Sequence, residues 1–114
     1  MKRVAVLIRS LPLNSVRAAE GLRAALGQTL GDHAVTAVFM DDGAWGATEL
    51  RPQGRPEADT GRHVETLAAL GHRLVVDEAS LRARAIAAVR PEVEVVVRSE
   101  AVALLAAADA VLAF

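Results

Sequence analysis

The chain alternates between short apolar runs and longer segments in which apolar residues recur every three or four positions. The run Val4–Ile8 is continuous, which is typical of a strand that is covered on both faces of a parallel sheet. The segment Ser15–Leu30 instead carries a single apolar stripe, as an amphipathic helix does. The same two patterns repeat along the chain, except that Val93–Val97 alternates with Glu94. They predict strands at Val4–Ile8, Ala34–Met40, Arg73–Val76, Val93–Val97 and Ala110–Phe114, and helices at Ser15–Leu30, His63–Leu70, Glu78–Val89 and Ser99–Ala107.

The helical patterns also predict which side chains face the core and where each helix starts and stops. Asn14 or Ser15, Thr60, Asp77 and Ser99 are residue types that cap helix N-termini, whereas Gly31 and Gly71 are natural C-terminal stops. Three apolar stripes are predicted to face inward: Val16, Ala19, Leu22, Leu26 and Leu30; then Leu81, Ala85, Ile86 and Val89; then Val102, Leu105 and Ala106.

Strands that alternate with helices indicate parallel βαβ units joined by right-handed crossovers. We therefore expect one α/β domain over residues 1–114: three α/β/α layers around a five-stranded, mostly parallel, doubly wound sheet. There are too few βα units for an eight-stranded barrel. The pattern is lost over Ala44–Gly61, which predicts a long surface loop with a short helical turn near Ala47–Leu50.

Composition narrows the function classes. Hydrophobic residues make up 53% of the chain, and the formal net charge of -1 gives no electrostatic reason to expect direct nucleic-acid binding. No apolar stretch is long enough for a membrane helix and no signal peptide is apparent, so we expect a cytoplasmic protein. The 114 residues include no cysteine, which excludes thiolate chemistry by the chain itself. No nucleotide-binding glycine motif is present, and we expect no cofactor.

Ligands of such sheets bind at the carboxyl ends of the strands. Asp41 and Asp42 follow the second predicted strand, and Asp77 follows the third. These carboxylates could bind a hard cation such as Mg²⁺ or act as an acid–base pair. Aspartates that end strands are, however, more often turn formers or helix caps, and the sequence favours that interpretation.

Three further residues complete the candidate pocket. Asn14 and Ser15 lie where a helix begins, so their backbone N–H groups could bind an anion, although plain capping is the simpler interpretation. Trp45 is the only tryptophan, and it is either an interface anchor or folded onto its own domain. The histidines His33, His63 and His72 match no metal-binding spacing and are expected at the surface, and no metal site is predicted.

With these elements in place, the sequence resembles the DsrE/DsrF-like family, the sulfur-relay TusB/TusC/TusD type. The resemblance is carried by Arg9–Ser15 with the following Arg17–Leu22, by Val38–Trp45, by Glu78–Arg84 and by Ala108–Phe114, in this order over nearly the whole chain. The most similar branch is that of the DsrF/TusC-like subunits.

The resemblance implies a small α/β subunit that assembles into trimers or hexamers, some of which relay persulfide sulfur toward tRNA thiolation or sulfur oxidation. Relay subunits carry a cysteine near the end of the third strand, and the matching position here is Asp77. Asn14 also departs from the family, in which a glycine is common.

Two classes of function follow, and a diverged homotrimer with no sulfur role is a third possibility. The first is a noncatalytic subunit that acts by homo-oligomerisation or by binding related cysteine-bearing subunits, which the missing thiol favours over an enzyme. The second is a small ligand- or cation-binding domain or enzyme that uses Asp41, Asp42 and Asp77.

Overall fold

The protein is a five-stranded parallel sheet with helices on both faces, which confirms the predicted fold class. The computed structural model describes residues 1–12, 16–49 and 60–114. The strands are β1 (Lys2–Ile8), β2 (His33–Phe39), β3 (Arg73–Asp77), β4 (Glu94–Val96) and β5 (Ala110–Ala113). The helices are α1 (Arg17–Gln28), α2 (Thr60–Ala69), α3 (Glu78–Ala83) and α4 (Arg98–Ala107), with a 3₁₀ helix at Asp41–Ala47.

The strand order is β4-β3-β2-β1-β5, and every neighbouring pair is parallel. The carboxyl ends of all five strands therefore meet at one edge of the sheet. The chain leaves β1 in one direction along the sheet and later returns to its other side to add β5, so β1 is the point at which the strand order switches. The loops that follow β1, β2 and β3 lie together at this carboxyl edge.

The two faces of the sheet are covered unequally. One face packs against α1, α2, α3 and the 3₁₀ helix in the larger core, which includes Val6, Leu22, Phe39, Leu67 and Leu81. The other face forms a smaller core, in which Val38, Val75 and Val96 pack against Ala101 of α4. Within the described part of the chain, α4 is the one helix on this second face. Val111 of β5, which lies on this side of the sheet in register with Ala5, remains 44% exposed.

The helix predicted over Glu78–Val89 is wrong beyond Ala83. Ala85 takes a left-handed backbone conformation (φ 53°), and the Ile86 N–H donates to the Leu81 carbonyl at 3.0 Å, which ends α3 in a Schellman-type turn. Ala85 is consequently exposed rather than on an inward stripe. Ile86 and Val89 still pack against the larger core. The helical spacing of apolar residues beyond Ala83 is therefore explained by an irregular segment that is partly buried.

The predicted inward face of the last helix is also wrong. Ala101 is buried and Leu104 and Leu105 are partly buried, whereas Val102 is half exposed and Ala106 is exposed. Apolar residues surround α4 on all sides, so the sequence gives no stripe from which the orientation could be inferred. The helix also begins at Arg98 after Val97, with no side-chain cap, so Ser99 is not its N-cap.

The ends of α1 differ from the prediction as well. Val16 and Leu30 are exposed because both lie outside the helix, and Leu30 follows the turn that closes α1. The expected loop at Ala44–Gly61 begins as the last part of the 3₁₀ helix, with Ala44 and Ala47 buried, so the predicted helical turn occurs earlier in the chain. No helix among the described residues has the length and apolarity needed to cross a membrane.

Candidate functional site

Asp77 is the last residue of β3 and lies at the carboxyl edge of the sheet with no solvent exposure. Its Oδ2 accepts the Ser80 N–H at 3.1 Å, so Asp77 caps α3 as the sequence indicated. The Ser80 hydroxyl donates to the same oxygen at 2.7 Å. A buried carboxylate of this kind is stable only when charged or polar donors surround it.

Arg98, the first residue of α4, supplies the charge that Asp77 requires. Its Nη2 and Nε donate to Asp77 Oδ2 at 2.6 Å and 3.0 Å. Asp77 Oδ1 is buried and has no hydrogen-bond partner among the described residues. All the donors that are described around Asp77 therefore converge on one oxygen of its carboxylate.

These contacts set the protonation state of Asp77. Burial raises the pKa of its carboxyl group, but the hydrogen bonds and charge of Arg98, together with the Ser80 donors, outweigh burial and hold the pKa below its usual value. The same ion pair raises the pKa of Arg98. Asp77 is thus a carboxylate at neutral pH, with no free proton to donate as an acid.

Asp41 joins this network from the end of β2. Its backbone N–H donates to the Ser80 hydroxyl at 2.8 Å, and its carboxylate accepts from Arg9 Nε at 2.8 Å. Arg98 Nη2 approaches the other Asp41 oxygen at 4.0 Å. Asp41 has a left-handed backbone (φ 52°), which aspartate tolerates better than most residues do. Asp41 and Asp77 are therefore joined through Ser80 and Arg98.

Asp42 points to a different arginine. Arg84 donates to Asp42 Oδ1 from Nε at 3.1 Å and from Nη2 at 3.0 Å, and its Nη1 reaches the Ser80 carbonyl at 3.3 Å. Each of the three predicted aspartates is therefore paired with its own arginine. Within the described ranges, no group of three His, Cys, Asp or Glu residues could hold a metal ion.

Gly43 allows the 3₁₀ helix to lie against the end of β1. A Cβ atom at this position would be 1.9 Å from the Ile8 carbonyl oxygen, a distance that no side chain can accept. The same carbonyl accepts the Met40 N–H at 3.0 Å, and the Gly43 N–H closes the turn onto the Met40 carbonyl at 2.9 Å. The glycine in the Asp-Asp-Gly sequence is therefore required for close approach of two backbones.

The remaining predicted site residues contribute less to this geometry. Trp45 lies in the 3₁₀ helix and is half-buried. Asn14 and Ser15 lie outside the described residues. His72, expected at the surface, is half-buried, and its Nδ1 accepts the Val35 N–H at 3.2 Å.

Sequence reasoning missed the basic and hydroxyl groups that complete the network: Arg9, Ser80, Arg84 and Arg98. One indication that Asp77 has a basic partner was present in the sequence, because an aspartate that is buried at the end of a strand requires a cation nearby. The sequence offers twelve arginines for that role, and nothing in their spacing singles out Arg98.

The fold and this carboxyl-edge site define a small parallel α/β domain of the doubly wound type. A family model described as the DsrE/DsrF-like family matches residues 2–114, and the chain therefore belongs to that family. Among solved structures, the YchN protein from E. coli is similar in fold, with a TM-score of 0.85 over 100% of both chains at 19% sequence identity. No curated protein matches the sequence.

Proposed function

We propose that the chain is a noncatalytic DsrE/DsrF-like subunit, of the DsrF/TusC-like type, that acts by assembling with other subunits of a sulfur-relay complex. The observation that carries the proposal is the state of Asp77. In relay subunits of this family the matching position is a cysteine, whereas here it is a fully buried carboxylate. A carboxylate cannot carry a persulfide, and the chain has no cysteine elsewhere to replace it.

The surface of the second sheet face supports assembly. We define the α4 face as the outer side of α4 together with the side of β5 that lies on the same sheet face. Val102 on α4 is 50% exposed, and Val111 on β5 is 44% exposed. Val111 pairs in register with Ala5, which places it on the α4 side of the sheet. Half-exposed apolar side chains on an incompletely covered face favour burial against another subunit.

The charged residues bordering this face form ion pairs within the chain. Arg98 is held by Asp77, and Arg73 is held by Glu94 and Glu100 at 3.0 Å each. A partner that packs on α4 therefore does not need to supply opposite charges to Arg73, Glu100 or Arg98. The proposed occupant is a second small α/β subunit, either a copy of this chain or a related cysteine-bearing subunit, in a trimer or hexamer.

Co-expression and co-purification with any DsrE/DsrF-like subunits that neighbouring genes encode test the proposal. We expect a stoichiometric mixed oligomer or a homo-oligomer, in which persulfide sulfur is found on the cysteine-bearing subunit and never on this chain. A persistent monomer that binds none of these subunits would contradict the proposal. A matched experiment with each subunit alone separates self-assembly from hetero-assembly.

A further inference from the structure

A cavity of about 220 Å³ lies between the last turn of α4 and the amino ends of β1, β2 and β3. It lies at the opposite edge of the sheet from Asp77, so it is separate from the network described above. Its walls include Arg3, Ala5, Ala34, Thr36, Leu104 and Ala107.

Strand register explains why the cavity has depth. Ala5 pairs with Thr36, and Thr36 pairs with Arg73, so these three residues form one row across three strands on the side of the sheet that α4 covers. Neighbouring strands lie about 4.8 Å apart, and the row therefore spans about 10 Å. Ala34 precedes this row on β2, opposite Arg3. Small side chains along the floor, and Ala107 on α4, leave space that larger residues would fill.

The polar groups at the cavity differ in whether they are already paired. Arg73 donates to Glu94 and Glu100, so its charge is neutralised within the protein. The guanidinium of Arg3 is exposed and has no hydrogen bond or ion pair within the described residues, although its backbone N–H donates to the Asp109 carboxylate at 2.7 Å. The Thr36 hydroxyl likewise has no partner in the described part of the chain. The groups still open for a ligand are a cationic donor and a hydroxyl.

We propose that this cavity binds a small organic anion: a carboxylate with a short apolar body. The carboxylate pairs with the Arg3 guanidinium, a geometry for which arginine is well suited, and Thr36 offers a second donor. The apolar body contacts Ala5, Ala34 and Leu104. The cavity is smaller than the roughly 300–1,000 Å³ typical of sites for drug-sized ligands, so a nucleotide does not fit.

Benzoate is the probe, and benzamide is its neutral isostere. Titration into the ¹⁵N-labelled full chain, followed by NMR, should give saturable benzoate shifts at the amides of Ala34, Thr36 and Ala107, with dissociation constants near or below about 1 mM. Benzamide and inorganic phosphate should bind at least about tenfold more weakly, because one lacks the charge and the other lacks the apolar body.

Two variants distinguish this site from a nonspecific surface effect. Arg3→Gln should weaken benzoate at least about tenfold by removing the anchoring charge. Ala107→Leu keeps a strong helix former while filling the cavity, and should abolish the shifts. Arg23→Gln, on the exposed side of α1, is the matched control and should bind as the unmodified chain does.

The proposal is overturned if benzoate gives no saturable shift up to about 10 mM. The proposal is equally overturned if benzamide or phosphate binds as tightly as benzoate does. It is also overturned if Ala107→Leu and Arg3→Gln bind benzoate with the affinity of the unmodified chain. The circular dichroism spectrum of each variant verifies that it is folded. The experiment measures ligand binding at the amino edge, and it does not measure assembly through the α4 face.

Discussion

Arg98 Nη2 lies 2.6 Å from Asp77 Oδ2, and this pair fastens the first residue of α4 to the last residue of β3. The contact links α4, which packs on the sheet face with the smaller core, to the carboxyl edge. There Ser80, Asp41 and Arg9 continue the hydrogen-bond network. Asp77 therefore holds several loops together. This structural role is consistent with a subunit in which the position has no reactive group.

The pH dependence of stability tests the role of Asp77. The folded-state pKa of Asp77 is lowered, so its stabilising contribution is fully present above the unfolded pKa of about 4 and is lost as pH falls through the folded value. Asp77→Asn should lower the free energy of unfolding by about 2 kcal/mol at pH 7. Urea denaturation measures this, and the gap from the unmodified chain should shrink below about pH 4.

Asp32→Asn, at an exposed aspartate in the turn before β2, is the control. It should leave the free energy of unfolding at pH 7 and its dependence on pH nearly unchanged. If Asp77→Asn were as stable as the unmodified chain at pH 7, the ion pair between Asp77 and Arg98 would not stabilise the carboxyl edge.

The close approach at Gly43 predicts opposite effects for two glycine substitutions. Gly43→Ala would place Cβ 1.9 Å from the Ile8 oxygen and should destabilise the protein by about 2–3 kcal/mol. Gly27→Ala, within α1 and with open space around it, should instead stabilise by up to about 1 kcal/mol. Thermal unfolding of both variants shows whether each substitution lowers or raises the stability of the protein. Equal effects would show that the 3₁₀ helix can move away from β1 without cost.

Introducing a thiol tests the electrostatics at the end of β3. In Asp77→Cys the chain has a single cysteine, so the pH dependence of its alkylation by iodoacetamide reports one pKa. Burial raises that pKa whereas Arg98 lowers it, and the ordinary value is about 8.5. We expect the thiol pKa to be higher in the double variant Asp77→Cys with Arg98→Gln than in the single variant Asp77→Cys. Identical values in both proteins would mean that Arg98 does not act on this position once the carboxylate is removed.

Magnesium titration separates the two classes of function. Asp41, Asp42 and Asp77 each engage an arginine, so a hard cation would have to displace those partners before binding. We therefore expect no saturable change in Trp45 fluorescence at millimolar Mg²⁺. A saturable response that is lost in Asp77→Ala would favour the cation-binding alternative. Potassium chloride at matched ionic strength controls for screening of the surface ion pairs.

The sequence predicted the sheet well because its strands are short apolar runs, most of them continuous, and a continuous run identifies a strand buried on both faces. Asp77 was also predicted as a helix cap, since capping depends only on neighbours in sequence. Its ion-pair partner was not predicted, because Arg98 lies 21 residues further along the chain and only the fold brings it to β3. The orientation of α4 could not be inferred because the helix is apolar on all sides. The end of α3 was not predicted because the left-handed position of its closing turn, usually a glycine, is occupied by Ala85.

Native mass spectrometry tests the central claim most directly, because the claim is that this subunit acts by assembly. The unmodified chain, alone or with its related cysteine-bearing subunits, should form a trimer, a hexamer or a mixed complex, and Val102→Glu on the α4 face should reduce the assembly to monomers. Leu70→Glu, at a similarly exposed apolar side chain beyond α2, should leave the assembly intact. A monomeric unmodified chain that binds no such subunit, or an assembly unaffected by Val102→Glu, would contradict this account.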